Sequence, residues 1–146
     1  MAGQRLVNSI EKGIVIDHIQ AGMGIKLFRY LNLDKAGFTV VMIMNAASKR
    51  MGRKDIIKIQ DITDLDYTVI GLIDHRATIS VIDGGKIIAK KPLTLPSTVQ
   101  NVLYCKNPRC VTATEKQMPH IFRLQNAGER IYKCAYCEEY VNGFEL

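Results

Sequence analysis

The chain has no tryptophan, and its ten aromatic residues are six Tyr and four Phe. None of them interleaves with the basic run Lys49, Arg50, Arg53 and Lys54, so no stacking platform for single-stranded nucleic acid is evident. No apolar run approaches the ~20 residues needed to span a bilayer. The opening Met1-Ala-Gly-Gln-Arg leads into no apolar signal-peptide core, which points to a soluble, cytoplasmic chain. There is no H-E-x-x-H and no P-loop pattern, and Ser9 and Ser97 stand in no motif with a paired His and Asp. No catalytic constellation is expected. Internal repeats and low-complexity tracts are also missing.

Cysteine is scarce, and all of it is in one place. The only four cysteines form two close pairs, Cys105-Lys-Asn-Pro-Arg-Cys110 and Cys134-Ala-Tyr-Cys137, separated by 23 residues. A tetrahedral Zn²⁺ takes four soft ligands about 2.3 Å away, and each tight turn can present two thiolates to it. Two disulfides would need a secreted chain. A redox pair at Cys134 and Cys137 would leave Cys105 and Cys110 unexplained. The spacing therefore predicts one structural zinc ion held by Cys105, Cys110, Cys134 and Cys137. Four thiolates close the coordination sphere, so this metal holds structure and does no chemistry.

A net charge of +6 over 146 residues points to an anionic partner. The charge is unevenly placed. Residues 1–91 carry 14 Lys/Arg against 9 Asp/Glu, a net of +5, and residues 92–146 carry 6 against 5, a net of +1. Four thiolates on one Zn²⁺ bring the second part to about −1. A zinc module that grips a phosphate backbone should itself be basic, so the positive charge belongs to the first part.

Lys91-Pro92-Leu93-Thr94-Leu95-Pro96-Ser97 joins the parts. Two prolines four apart forbid a regular helix. The expected division is a domain at 1–91, a linker at 92–100 and a domain at 101–146. In the first domain the pattern predicts strands at 14–19, 38–44, 55–59, 78–82 and 86–90. It predicts helices at 25–31 and at 65–73, the second with Thr63 or Asp64 as N-cap. Ala46 to Gly52 reads as a hairpin loop, and Asp83-Gly84-Gly85 as a hairpin turn. The order β-α-β-β-α-β plus one strand is the ferredoxin-like plan. One sheet face would pack on two helices, and the other would be free for a second copy or a ligand. In the second part, short strands at 102–105, 120–124 and 131–134 surround the metal. The fold class is α+β, with a ferredoxin-like domain followed by a small β-rich zinc-binding domain.

Lys54 and Lys58, four apart on one predicted strand, point to one face, and Lys90 ends another strand that can converge on them. Together they form a seat for a triphosphate or, alternatively, a solvated charged face. Asp17 and His18 interrupt an apolar strand. An inward acid there needs a partner or a place at the domain edge, and a structural role for His18 is the competing reading. His75 and His120 have no companions at ligand spacing and read as structural or surface residues. Gly22-Met23-Gly24 reads as the turn into a helix, since a lone G-x-G is a weak phosphate-loop signal.

Four stretches carry a family resemblance: residues 12–19 (KGIVIDHI), 51–59 (MGRKDIIKI), 77–83 (ATISVID) and 101–105 (NVLYC), completed by the cysteine pattern. Together they resemble the regulatory-chain family of aspartate carbamoyltransferase, over nearly the whole chain. The resemblance implies a non-catalytic subunit whose N-terminal allosteric domain binds ATP and CTP at one site. Its zinc domain would dock on the catalytic chain. It also implies a regulatory homodimer, an assembly of six catalytic and six regulatory chains, and control of the committed step of pyrimidine biosynthesis. On this likeness Lys90 looks like the phosphate contact, and Lys58 and Asp17 like ribose and base contacts. Lys54 and His18 match neighbouring pocket positions. Ile10 and the backbone of Val7 to Ser9 match the stretch that reads the base edge, while Ile82 and Ile87 match the apolar walls. Ser80 is a pocket position where an asparagine is familiar. Gly85 stands in place of a bulkier aromatic, and Asn8 in place of an acid. No membrane or nucleic-acid partner is expected. The rival readings are a zinc-ribbon nucleic-acid-binding protein using the basic loop 49–58, and a free-standing nucleotide sensor serving another enzyme.

Overall fold

The computed structural model describes residues 10–142 apart from 63 and 66. Its first sheet has strands β1 (Gly13–Gln20), β2 (Val40–Ser48), β3 (Gly52–Gln60), β4 (Thr78–Asp83) and β5 (Lys86–Pro92), in the order β2-β3-β1-β4-β5. All its pairings are antiparallel. Helix α1 (Gly24–Tyr30) follows β1, and α2 (Tyr67–Ile73) follows β3. This is the expected split β-α-β plan, with β5 added at one edge.

Period-two alternation gives the sheet its two faces. Ile14, Ile16, Ile57, Ile59 and Ile79 point to one side and are fully buried with Leu27 of α1 and Ile70 of α2. Burial of each such side chain contributes about 1.5–3 kcal/mol. Val15, Asp17, Ile56, Lys58, Ser80 and Ile82 have the other parity and face away from the helices.

The alternation is broken at bulges. In β1 the pairing with β3 jumps from Ile16 to Ile19, and His18 takes a left-handed φ of 57°. The extra residue returns Ile19 to the core, where it is fully buried. In β5 the pairing with β4 jumps from Ala89 to Ile87. In β2 it jumps from Ile43 to Ala46, with Asn45 at φ 59°.

Asp55 ties these irregularities together. It is fully buried, and its carboxylate accepts the backbone N–H groups of Gly22, Gly24 and Asn45, each at 3.0 Å. Gly24 is required by that approach, because a Cβ there would lie 2.8 Å from Asp55 Oδ2. Residues 22–24 form a turn into α1, as expected, and the amides of Gly22 and Gly24 are committed to Asp55 rather than open to a phosphate.

The second sheet has the order β6-β7-β8-β9: Thr98–Gln100, Ile121–Asn126, Ile131–Cys134 and Tyr140–Asn142. A short helix, α3 (Val111–Thr114), lies between β6 and β7. The expected strand at 102–105 does not form. The strand lies at 98–100, where Val99 is buried. Asn101 then turns the chain at φ 58°, and residues 102–105 run as a loop that delivers Cys105. A smaller shift occurs in the first unit. The strands flanking the predicted 46–52 loop extend to Ser48 and from Gly52, leaving a turn at 49–51. Helix α2 spans Tyr67–Ile73, and Asp64 Oδ1 accepts the N–H of Leu65 at 3.0 Å. Thr63 lies outside the described residues.

The two units share helix α2. Its Ile70 and Ile73 belong to the first core and its Leu72 to the second. The connecting residues lie against it. A Cβ on Gly71 would come within 2.7 Å of the Thr94 carbonyl, so glycine permits this crossing.

Candidate functional site

The folded chain brings its four cysteines together. Cys105 and Cys110 flank a turn in which the Cys110 N–H donates to the Asn107 carbonyl (3.1 Å) and the Arg109 N–H to Asn107 Oδ1 (3.0 Å). Cys134 ends β8, and Cys137 follows in the next turn. All four Sγ atoms lie within 4.8 Å of one another. Cys105 and Cys137 are 3.5 Å apart, and Cys110 and Cys134 are 3.8 Å apart. Thiolates around a tetrahedral zinc with ~2.3 Å bonds stand about 3.8 Å apart, whereas a disulfide needs about 2.05 Å. The donor set and its spacing fit a soft dication.

The electrostatics also call for one. Burial pushes the Cys105 thiol up to about 12, and it raises Cys134 as well. At Cys110 burial acts in the same direction, but hydrogen bonds led by Thr112 Oγ1 (3.1 Å) outweigh it and bring the thiol down to about 7. Four clustered thiolates, two of them buried and two half-buried, need a compensating positive charge, and a metal supplies it. His120 plays a structural part here, as expected: its Nδ1 accepts the Cys105 N–H at 3.1 Å, and its ring meets Tyr104 edge-on.

The second site is a cleft of about 560 Å³ on the sheet face turned away from the helices. Asp17, His18, Lys58, Ser80, Ile82, Ile87 and Lys90 all line it. The bulges make this possible. The one in β1 keeps His18 on the cleft face, where its Nδ1 lies 3.0 Å from Thr78 Oγ1. The one in β5 lets Ile87 and Lys90, three apart, share a face by pairing with Ile82 and Ser80. Lys58 is only 7% exposed. Its ammonium is held below the ordinary lysine range by burial, with the Asp17 carboxylate pulling the other way.

Two expected residues stand elsewhere. Lys54 is not among the lining residues; it holds one of them through an ion pair with Asp17 at 3.0 Å. Ile10 precedes β1 and is not a lining residue either. Gly85 sits in the β4–β5 turn at φ 73°, donating to the Glu11 carbonyl. Val7 to Ser9, including Asn8, lie outside the described residues.

Comparison with known proteins settles the family. Residues 5–94 match the family described as aspartate carbamoyltransferase regulatory chain, allosteric domain, and residues 97–146 match its metal binding domain. An aspartate carbamoyltransferase regulatory chain of Clostridium botulinum is 50% identical over 140 residues, covering 96% of each chain. One from Clostridium tetani is 51% identical over 134 residues, 91% of this chain and 93% of the relative. One from Bifidobacterium longum is 46% identical over 133 residues, 91% and 96%. The chain belongs to the aspartate carbamoyltransferase regulatory chain family. In the family's terms the cleft lies in the allosteric domain and the four-thiol cluster in the metal-binding domain. It is a regulatory chain rather than a catalytic one.

Four lining residues escaped the sequence reading: Val15, Arg50, Ile56 and Thr78. Val15, Ile56 and Thr78 are each two positions from a residue that was singled out, so strict alternation along their strands would have found them. Arg50 carried no such signal, because its reach into the cleft depends on how the β2–β3 hairpin folds over the sheet. The basic run is divided among different tasks, with Lys49 exposed to solvent. Arg50 lines the cleft, Arg53 bonds the Asn45 carbonyl (3.0 Å), Lys54 pairs with Asp17 and Lys58 is buried. No described helix is long and apolar enough to cross a membrane.

Proposed function

We propose that the cleft of the allosteric domain binds ATP and CTP competitively, and that the metal-binding domain, closed around one Zn²⁺, docks on the catalytic chain of aspartate carbamoyltransferase. The observation that carries the nucleotide reading is the convergence of Arg50, Lys58 and Lys90 on one cleft walled by Ile82 and Ile87. Cations and apolar walls in one cleft suit a ligand with a polyphosphate and a flat base. Lys90 contacts phosphate. Lys58 and Asp17 serve the ribose and base, with Lys54 fixing Asp17 and Ser80 completing the polar lining. His18, held by Thr78, borders the same pocket, and Ile10 lies toward the base edge. The zinc supplies no chemistry; held by Cys105, Cys110, Cys134 and Cys137, it fixes the docking surface. Regulatory chains pair as dimers that bridge catalytic trimers, six chains of each kind, in the cytoplasm. A nucleotide changes activity only by favouring one state of that assembly over the other.

The test is sedimentation of the zinc-loaded chain with its catalytic trimer, together with calorimetric titration of CTP. A large complex that dissociates when a thiol reagent ejects zinc, and a CTP affinity that drops roughly 10–150-fold in Lys90→Ala, are the expected results. Normal assembly of a Cys137→Ser chain would overturn the docking role. Unchanged CTP affinity in Lys90→Ala would overturn the phosphate assignment.

A further inference from the structure

Among the described residues of the metal-binding unit, Arg130 is the only charged side chain that is buried, at 3% exposure. It ends a tight turn at φ 54°, directly before β8. Its guanidinium reaches into the other unit, where Nη1 donates to the Ile73 carbonyl at 3.0 Å. That carbonyl belongs to the last residue of α2, the negative end of the helix dipole. The next residue, Asp74, is 1% exposed, and its carboxylate attracts the guanidinium.

Asp74 is itself bonded to the strands that frame the cleft. Its Oδ2 accepts the N–H of Gln20 at 2.7 Å, and its Oδ1 accepts that of Arg76 at 3.0 Å. Gln20 ends the strand that carries Asp17 and His18. Thr78, four residues beyond Asp74, lines the cleft and holds the His18 ring. Both sides of Asp74 thus lead within a few residues to the cleft wall, and the carbonyl just before it is the one that Arg130 grips. The apolar contacts that join the units, through Leu72 and Val102, are non-directional. A buried, charge-assisted contact is directional and responds to small displacements.

We infer that Arg130, bonded to the Ile73 carbonyl beside the buried Asp74 carboxylate, clasps the end of α2 and transmits occupancy of the cleft to the metal-binding unit, with Arg130 as the positioning residue of that clasp. The inference rests on the nucleotide reading above. It predicts that neutralising either partner uncouples nucleotide binding from its effect, leaving each unit folded.

The experiment uses the zinc-loaded complex with the catalytic chain. It measures the factor by which saturating CTP shifts aspartate half-saturation, alongside CTP affinity and zinc content. Couplings of this kind amount to roughly 5–150-fold. In Arg130→Gln, which keeps a donor for the Ile73 carbonyl but drops the charge, the factor should fall to about 1 while zinc and CTP binding persist. Arg130→Lys, which keeps the charge, should retain most of it. A wild-type factor in Arg130→Gln, or a Lys variant as uncoupled as Gln, would overturn the clasp. If Arg130→Gln does not assemble, Asp74→Asn decides from the other unit: loss of the factor supports the clasp and a wild-type factor overturns it. A wild-type complex indifferent to CTP would instead sink the nucleotide reading, and the clasp with it.

Discussion

The two units of this chain are held together by different physics. The allosteric unit buries eleven apolar residues in one cluster, eight of them isoleucines. The metal-binding unit buries seven, of which two are metal-ligand cysteines and one, Leu72, is borrowed from helix α2 of its neighbour. Hydrophobic burial suffices for the first. The second is near the size at which a core alone fails, and a metal then supplies the missing folding free energy. The contrast extends to function. A unit stabilised by its own core can leave one sheet face open as a cleft, whereas a unit closed around a fully coordinated metal has no open ligand position and offers a surface instead.

Metal removal should give the largest effect. Structural zinc sites are worth about 10–16 kcal/mol, as much as a typical domain's whole stability of about 5–15 kcal/mol. Chelation should abolish hydrogen-exchange protection in β6 to β9 and leave β1, β3 and β4 protected. If both units lost protection together, the contrast would collapse, and the shared helix α2 would be holding the allosteric unit as well.

A smaller change should strike the allosteric unit alone. Asp55→Ala strands three backbone N–H groups, of which that of Gly24 is buried and those of Gly22 and Asn45 are partly so. At about 1–3 kcal/mol for a buried unsatisfied donor, the loss should be of that size. Thermal unfolding of the zinc-loaded chain should show it as an earlier transition of the allosteric unit, with zinc affinity unchanged. A variant as stable as wild type would show that solvent reaches these donors freely.

The smallest effect concerns the cleft. Burial holds Lys58 below its ordinary value of 10.5, and a bound phosphate would raise it again. CTP affinity should therefore be full below the free-chain pKa and fall as pH rises from there toward the bound pKa, by up to about tenfold per pH unit. Binding should take up protons in that window, and Lys58→Arg should flatten the profile. A profile already flat in the wild type would remove Lys58 from the neighbourhood of the bound nucleotide.

Much of this arrangement was legible in the residues. The Ile14/Ile16 and Ile57/Ile59 alternation marks the core face of the sheet, because apolar side chains two apart on a strand must share a side. The cysteine spacing marks the metal centre, because thiolates are the soft ligands that tight turns present in pairs. The strand expected at 102–105 was misplaced because its apolar residues serve two ends. Leu103 is buried in the core, while Cys105 must turn toward the metal. The cleft was half legible. Alternation predicts that Lys54 and Lys58 share a face, but Ile87 and Lys90, an odd number apart, join one wall only through a bulge.

The sequence by itself determined the order of strands and helices in the allosteric unit, the core face, the two cysteine pairs suited to a metal and the uneven charge, since all of these follow from local periodicity, ligand chemistry and composition. Only the tertiary structure decided where the bulges fall, that Arg50 lines the cleft, that Asp55 caps three distant amides, and that Arg130 meets the end of α2 beside Asp74. These depend on contacts between residues 10 to 57 positions apart, and no local pattern encodes which pair will meet once the core has closed.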